Sequence, residues 1–105
     1  LGIEPDLFVY CVGDEGFDFR ARMFAPFDGV PEDPATGSAN CALAGLRCSL
    51  LPDGVGTARW RVAQGVEMGR PSTLQVRAER RDGRVTGTWV GGGCVLVARG
   101  HIDIG

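Results

Sequence analysis

The sequence predicts an α+β domain in which a curved, mainly antiparallel sheet wraps on one central helix. Three observations predict it. Residues 37 to 51 form a long segment with a single charge and with apolar residues at helical spacing. Several shorter runs alternate apolar and polar residues with the period of a strand. Between two of those runs, Arg81-Asp82-Gly83-Arg84 contains the Asp-Gly signal of a tight hairpin.

In chain order, Leu7-Phe8-Val9-Tyr10-Cys11-Val12 is a continuous apolar run closed by Gly13-Asp14-Glu15-Gly16, which reads as a buried strand and a turn. From Phe17 to Ala25 the pattern alternates, with Phe19, Ala21 and Met23 on one face and Asp18, Arg20 and Arg22 on the other, a half-exposed strand. A proline-rich loop with Pro26, Pro31 and Pro34 follows. In the helix, from about Gly37 to Leu51, Ala39, Ala42, Leu43, Leu46 and Leu50 recur at spacings of three and four. Its other faces carry Cys41, Ala44, Gly45 and Cys48, so it is apolar nearly all round and is expected to be surrounded by protein. Thr57 to Gln64 alternates Ala58, Trp60 and Val62 with Arg59 and Arg61, and Leu74, Val76 and Ala78 alternate with Gln75, Arg77 and Glu79. The hairpin then leads into Val85 to Val90. Gly91-Gly92-Gly93 marks a bulge or bend, and Cys94 to Ala98 reads as a further apolar strand. About six strands and one helix result.

A chain of 105 residues supports one domain with one core. Its formal charge of −2 argues against a surface that neutralises many phosphates, and no nucleic-acid partner is expected. The strand arginines read as a solvated face. All eleven basic residues are arginine, so a Schiff-base lysine mechanism is excluded. Cys11, Cys41, Cys48 and Cys94 are widely spaced and His101 is the single histidine, so no metal site is expected. The cysteines read as buried, reduced thiols of a cytoplasmic protein. The longest apolar run is too short to span a membrane. The chain has no methionine before Met23, which implies either a removed segment or the later portion of a longer product.

Glu32-Asp33-Pro34-Ala35-Thr36-Gly37-Ser38 is where chemistry concentrates. In one reading Asp33 is the helix N-cap with Pro34 at the first helical position, which leaves Gly37 in the first turns at a cost of about 1 kcal/mol relative to alanine. In the other, the helix starts later with Thr36 near the N-cap. Asp33 then stands in the loop with its carboxylate free, and the N–H groups of Gly37, Ser38 and Ala39 form an anion site at the positive end of the helix. Local physics permits both. Other constellations fail. Ser38 is not in G-x-S-x-G, so no serine–histidine–aspartate triad is expected, and the three glycines lack phosphate-loop spacing.

Four ordered blocks carry a resemblance: Arg22-Met23-Phe24-Ala25-Pro26, Glu32 to Ala39, Gln64-Gly65-x-x-Met68-Gly69-Arg70-Pro71-Ser72, and Val90-Gly91-Gly92. Together they resemble the C-terminal half of phenazine-biosynthesis PhzF-like proteins. The resemblance implies a diaminopimelate-epimerase-like half, residues 1–105 forming one domain of a two-domain fold whose active site lies in the cleft between halves. It implies a cofactor-independent isomerase or epimerase that moves a proton next to a carboxylate in a small metabolite. Asp33 and Ser38 fall on the family's aspartate and serine and are the expected catalytic residues, with Thr36, Gly37, Ala39, Gln64 and Gly65 binding substrate. The second catalytic cysteine of diaminopimelate epimerases has no counterpart, and Cys41, one turn further along, is given no role. The family's principal glutamate and its histidine partner belong to the N-terminal half, and Glu32 is not that glutamate. The implied partner is therefore an N-terminal half domain. The alternative is a homodimeric half-domain that binds a small acid or a partner without catalysis.

Overall fold

The computed structural model describes residues 5–105. Its elements are β1 (Leu7–Val12), β2 (Phe19–Ala25), a 3₁₀ turn (Pro26–Asp28), β3 (Val30–Asp33), α1 (Gly37–Ser49), β4 (Thr57–Gln64), β5 (Ser72–Arg81) and β6 (Arg84–Gly92). The strands form one mixed sheet in the order β1-β2-β4-β5-β6, with β3 paired to β2. All pairings are antiparallel except β2 with β4. The α+β class is thus the observed one. The Asp-Gly signal also acts as read, since Asp82 and Gly83 take the positive φ values of 50° and 75° that a two-residue hairpin needs.

The arrangement around β2 positions the site. β1 pairs along one edge of β2, from Leu7 with Phe24 to Val12 with Phe19. The other edge is shared. Phe19 to Ala21 pair with Val62 to Gln64 of β4, and Met23 and Ala25 pair with Asp33 and Val30 of β3. Because β4 runs parallel to β2 and β3 antiparallel, Gln64 and Asp33 meet end to end along that edge. Their partners Ala21 and Met23 are two residues apart, about 7 Å of strand.

One face of the sheet packs on α1. Phe19, Ala21, Val62, Leu74, Val76 and Ala78 form a core with Leu43, Ala44 and Cys48 of the helix. Small residues set the close approach. A Cβ at Gly37 would stand 3.5 Å from Val90 Cγ1, and one at Gly45 3.5 Å from Thr88 Cγ2, both ordinary contact distances. The helix therefore lies nearly against β6.

Several expectations are corrected. The buried stripe of α1 is Asn40, Leu43, Ala44 and Cys48, rotated from the predicted one. Leu46 and Leu50 are exposed at 50% and 64%, so the described residues cover only part of the helix. β1 is an exposed edge strand, not a buried one, because α1 packs on β4, β5 and β6. The proline-rich loop holds the 3₁₀ turn and β3. β6 continues in register through Gly92, and the irregularity falls at Glu79/Arg80 of β5 instead of at the glycines. Cys94 to Ala98 forms no strand; Val95, Leu96 and Val97 are 73% to 89% exposed. An apolar run states that a segment can be buried, and a strand also needs a neighbouring edge to pair with. For the same reasons Cys11 and Cys94 are exposed, and only Cys48 is fully buried.

Arg80 also departs from the solvated-face reading. It lies on the core side of β5 with 8% exposure and donates to the carbonyls of Cys48, Leu51 and Pro52 at 3.2, 3.0 and 2.5 Å. Those acceptors include the Cys48 carbonyl in the last turn of α1, where a cation is favourable. Arg80→Met preserves much of the stem volume but removes the charged donor, leaving the Leu51 carbonyl without a partner while those of Cys48 and Pro52 keep the Leu51 and Val55 N–H groups. It is expected to cost about 2–4 kcal/mol in urea unfolding; a loss below about 0.5 kcal/mol would contradict the capping role.

Candidate active site

The start of α1 is built by three stretches distant in sequence. Thr36 is the N-cap, with φ −119° and ψ 100°, and the helix begins at Gly37. The later of the two starts left open by the sequence is the one adopted. The cap is unusual, because the Thr36 side chain makes no capping bond within the helix. Its hydroxyl instead donates to Asp33 Oδ2. The organiser is Gln64, which is completely buried. Its Oε1 accepts from the Thr36 backbone N–H at 3.2 Å and from Asn40 Nδ2 at 2.8 Å. Its Nε2 donates to the Asp33 carbonyl and to Thr36 Oγ1, both at 2.9 Å. A carboxamide offers two acceptor sites and two donors, and all four are used.

This network fixes the surroundings of Asp33. Its backbone carbonyl is held by Gln64 and its carboxylate by Thr36, so with the later helix start the carboxylate stands in the loop as that reading had it, but is engaged and not free. Gly65 adds a steric constraint. It has φ +77°, and a Cβ there would stand 2.3 Å from the Arg70 carbonyl oxygen and 2.9 Å from that of Pro34. The 34 and 70 backbones pass so close that no larger residue fits. Arg22 meets Glu32 in a two-point ion pair, Nη2–Oε1 2.8 Å and Nε–Oε2 3.1 Å, which anchors β3 to β2. Nearby, Arg20 Nε bonds Glu67 Oε1 at 2.6 Å on the loop after Gly65. Partial burial pushes the Glu67 carboxyl up, but its backbone hydrogen bond and Arg20 hold it below the ordinary carboxylate value of 4.5.

What remains unpaired points to the chemistry. Among the described residues, no acceptor bonds the N–H groups of Gly37, Ser38 or Ala39, and the Ser38 hydroxyl, on an exposed residue, has no partner. Three outward N–H groups at the positive end of a 13-residue helix can receive a carboxylate or a developing oxyanion. Asp33 stands beside them. Gly37 also lines an open groove of about 480 Å³ with Ala35, Pro71 to Leu74 and Val90 to Cys94. Neither Asp33 nor Ser38 lines it, so the helix start is an open wall and not a closed pocket. Ala39 faces a different recess, with Met23 and Leu43.

The predicted site residues thus divide. Asp33 and Thr36 are hydrogen-bonded at the start of α1, where Gly37 and Ser38 follow, while Ala39 faces the recess with Met23 and Leu43. Gln64 and Gly65 lie beneath the helix start, buried, and their geometry is that of supports and not of surface contacts. Asn40 was missed. It is fully buried, donates to the Thr36 carbonyl and Gln64, and leaves its Oδ1 without a partner. An amide lying four residues after Thr36, in step with Leu43 and Ala44, was the available signal.

The comparisons with known proteins fit this geometry. The profile of the family described as phenazine biosynthesis-like protein, PhzC-PhzF, matches residues 8–100. The chain belongs to this family. A Pseudomonas aeruginosa relative named trans-2,3-dihydro-3-hydroxyanthranilate isomerase is 43% identical over 99 residues, covering 92% of this chain and 34% of its own length. An uncharacterized isomerase of Deinococcus radiodurans is 40% identical over 114 residues, 93% of this chain and 37% of its own. The PhzF-family phenazine biosynthesis protein of Bacillus anthracis superposes with a TM-score of 0.66 at 19% identity, over 90% of this chain and 36% of that one, which establishes the shared fold. The chain therefore spans about a third of the length of these relatives.

The PhzC-PhzF blocks quoted from the sequence meet at one place: Arg22 with Glu32, Gln64 with Asp33 and Thr36, and Val90 against Gly37. Replacing Gln64 by Leu removes both donors and leaves the Thr36 N–H and the Asn40 amide short of an acceptor. Urea unfolding is expected to register a loss of about 3 kcal/mol, whereas a change within about 0.5 kcal/mol would contradict the network.

Proposed function

We propose that this chain is the C-terminal domain of a cofactor-independent PhzF-like isomerase, forming one wall of a cleft in which a proton is shifted on a carbon beside a carboxylate. The observation that carries the reading is the helix start, with its three unpaired N–H groups next to a carboxylate held by Thr36. The substrate carboxylate binds the N–H groups of Gly37, Ser38 and Ala39 and the Ser38 hydroxyl. As the neighbouring carbon loses its proton, negative charge moves onto the carboxylate oxygens, where these donors and the helix dipole stabilise it. Asp33 orients the polar groups of the substrate and takes part in the proton's return at the new carbon. The isomerisation needs no redox partner, because the electron pair of the broken C–H bond stays with the substrate and the proton taken up by the protein's acid/base, which exchanges with water, is balanced by one delivered to the new carbon.

A second acid/base is required opposite Asp33, and Glu32 is engaged by Arg22. We assign it to an N-terminal half outside this chain. Two facts support that partner: the chain spans about a third of its relatives, and Val95, Leu96, Val97, Ile102 and Ile104 are 73% to 96% exposed. An apolar segment of that kind is suited to burial against another domain. The same exposure supports a second reading, a C2 homodimer that binds a small acid without turnover. The four thiols are unpaired, which supports a cytoplasmic setting.

The test pairs this chain with the remaining two-thirds of the Pseudomonas aeruginosa relative and follows deuterium uptake from heavy water into that relative's named substrate. The pair is expected to exchange. Asp33→Ala or Ser38→Ala should slow exchange by about 100-fold or more, while exchange retained in both variants overturns the assignment. A dimer of the chain alone that binds benzoate, combined with no exchange by the pair, would establish the second reading.

A further inference from the structure

The sheet face turned away from α1 carries a second concentration of charge. Alternation along the strands puts Arg20 and Arg22 of β2, Arg59 and Arg61 of β4 and Arg77 of β5 on that face. The sheet neutralises Arg20 with Glu67 and Arg22 with Glu32. Among the described residues, Arg59, Arg61 and Arg77 form no ion pair. The three line one concavity of about 510 Å³, together with Gln75, Trp89, Gly91 and Asp18.

Three features distinguish this from an ordinary solvated face. Arg59 is directly opposite Arg77 in the β4–β5 register, an arrangement of like charges that destabilises a sheet. Two of the guanidinium groups are held by rings. Arg77 lies 4.1 Å above Trp89, and Arg61 4.6 Å above Phe17. The Trp89 ring lies over Gly87, where a Cβ would stand 2.6 Å from it. Finally, Arg77 Nε is shut off from solvent without any hydrogen-bond partner. The carboxylate at the rim, Asp18, receives the Arg61 backbone N–H at 2.7 Å and caps the strand without pairing a guanidinium.

We propose that this concavity is a binding site for a small phosphate monoester. Three arginines lining one concavity offer more donors than a single carboxylate can accept and suit a tetrahedral dianion with three free oxygens. The volume falls within the range of about 300–1,000 Å³ found for small-molecule sites, so an organic body fits beside the phosphate. Rings that hold Arg61 and Arg77 reduce the ordering cost of binding. The bound dianion offsets the repulsion between Arg59 and Arg77. The site is separate from the helix start: it lies on the other face of the sheet and uses none of Asp33, Thr36 or Ser38.

The test is calorimetric titration of the whole 105-residue chain with inorganic phosphate, phenyl phosphate and benzoate, alongside thermal melts. Phenyl phosphate is expected to bind at least tenfold more tightly than benzoate and to raise the melting temperature. Arg77→Gln should weaken phenyl phosphate at least tenfold, while Ser38→Ala leaves it within twofold. Arg59→Gln, an exposed change that removes the like-charge pair, should raise the melting temperature without ligand and abolish most of the rise that phenyl phosphate gives. Equal binding of benzoate and phenyl phosphate, no heat with either phosphate at millimolar concentration, or loss of binding in Ser38→Ala would each overturn the proposal.

Discussion

The buried carboxamide of Gln64 is the interaction on which the functional surface depends. A buried amide with even one unmet group would be costly, and here all four capacities are met by Asp33, Thr36 and Asn40. The arrangement replaces the usual N-terminal cap. Thr36 does not turn its hydroxyl back onto the first turn of α1, so the N–H groups of Gly37, Ser38 and Ala39 stay outward and unpaired. The Thr36 hydroxyl is redirected to Asp33, and a side chain that would have capped a helix becomes part of the support for a carboxylate.

Topology makes this possible. Because β3 and β4 share one edge of β2 from opposite directions, the last residue of each arrives at the same point. Gly65 then lets the chain turn away past the backbone of Pro34 with no room for a side chain. The ion pair of Arg22 with Glu32 holds the short β3 in place from outside. The residues by which the chain resembles the PhzC-PhzF family are thus, in large part, the ones that build and brace the helix start, and fewer of them are available to touch a ligand.

Much of the fold was legible because its signals are local. The period-two runs at Phe19–Ala25 and Thr57–Gln64, the Asp-Gly hairpin and the helical spacing of apolar residues after Gly37 each identify an element without reference to any other. What was not legible depends on partners. The apolar runs at 7–12 and 94–98 read alike, yet one became an exposed edge strand and the other no strand, since pattern alone does not say which edge is free. Arg80 looked like its neighbours Arg77 and Arg59 and was buried because the C-terminal end of α1 happens to lie over it. In the site, Asp33, Thr36 and Ser38 were legible as a cluster. The supporting role of Gln64 was not, because it rests on a contact across 28 residues of chain.

Residue-resolved hydrogen exchange of the backbone amides from Thr36 to Asn40 reads directly whether the start of α1 is open. Strong protection is expected at Thr36, bonded to Gln64, and at Asn40, bonded to the Thr36 carbonyl, with Gly37, Ser38 and Ala39 exchanging close to their unprotected rates. Protection of Gly37, Ser38 and Ala39 equal to that of Thr36 would mean that the fold itself uses those donors, and would contradict an open helix start built to receive a ligand.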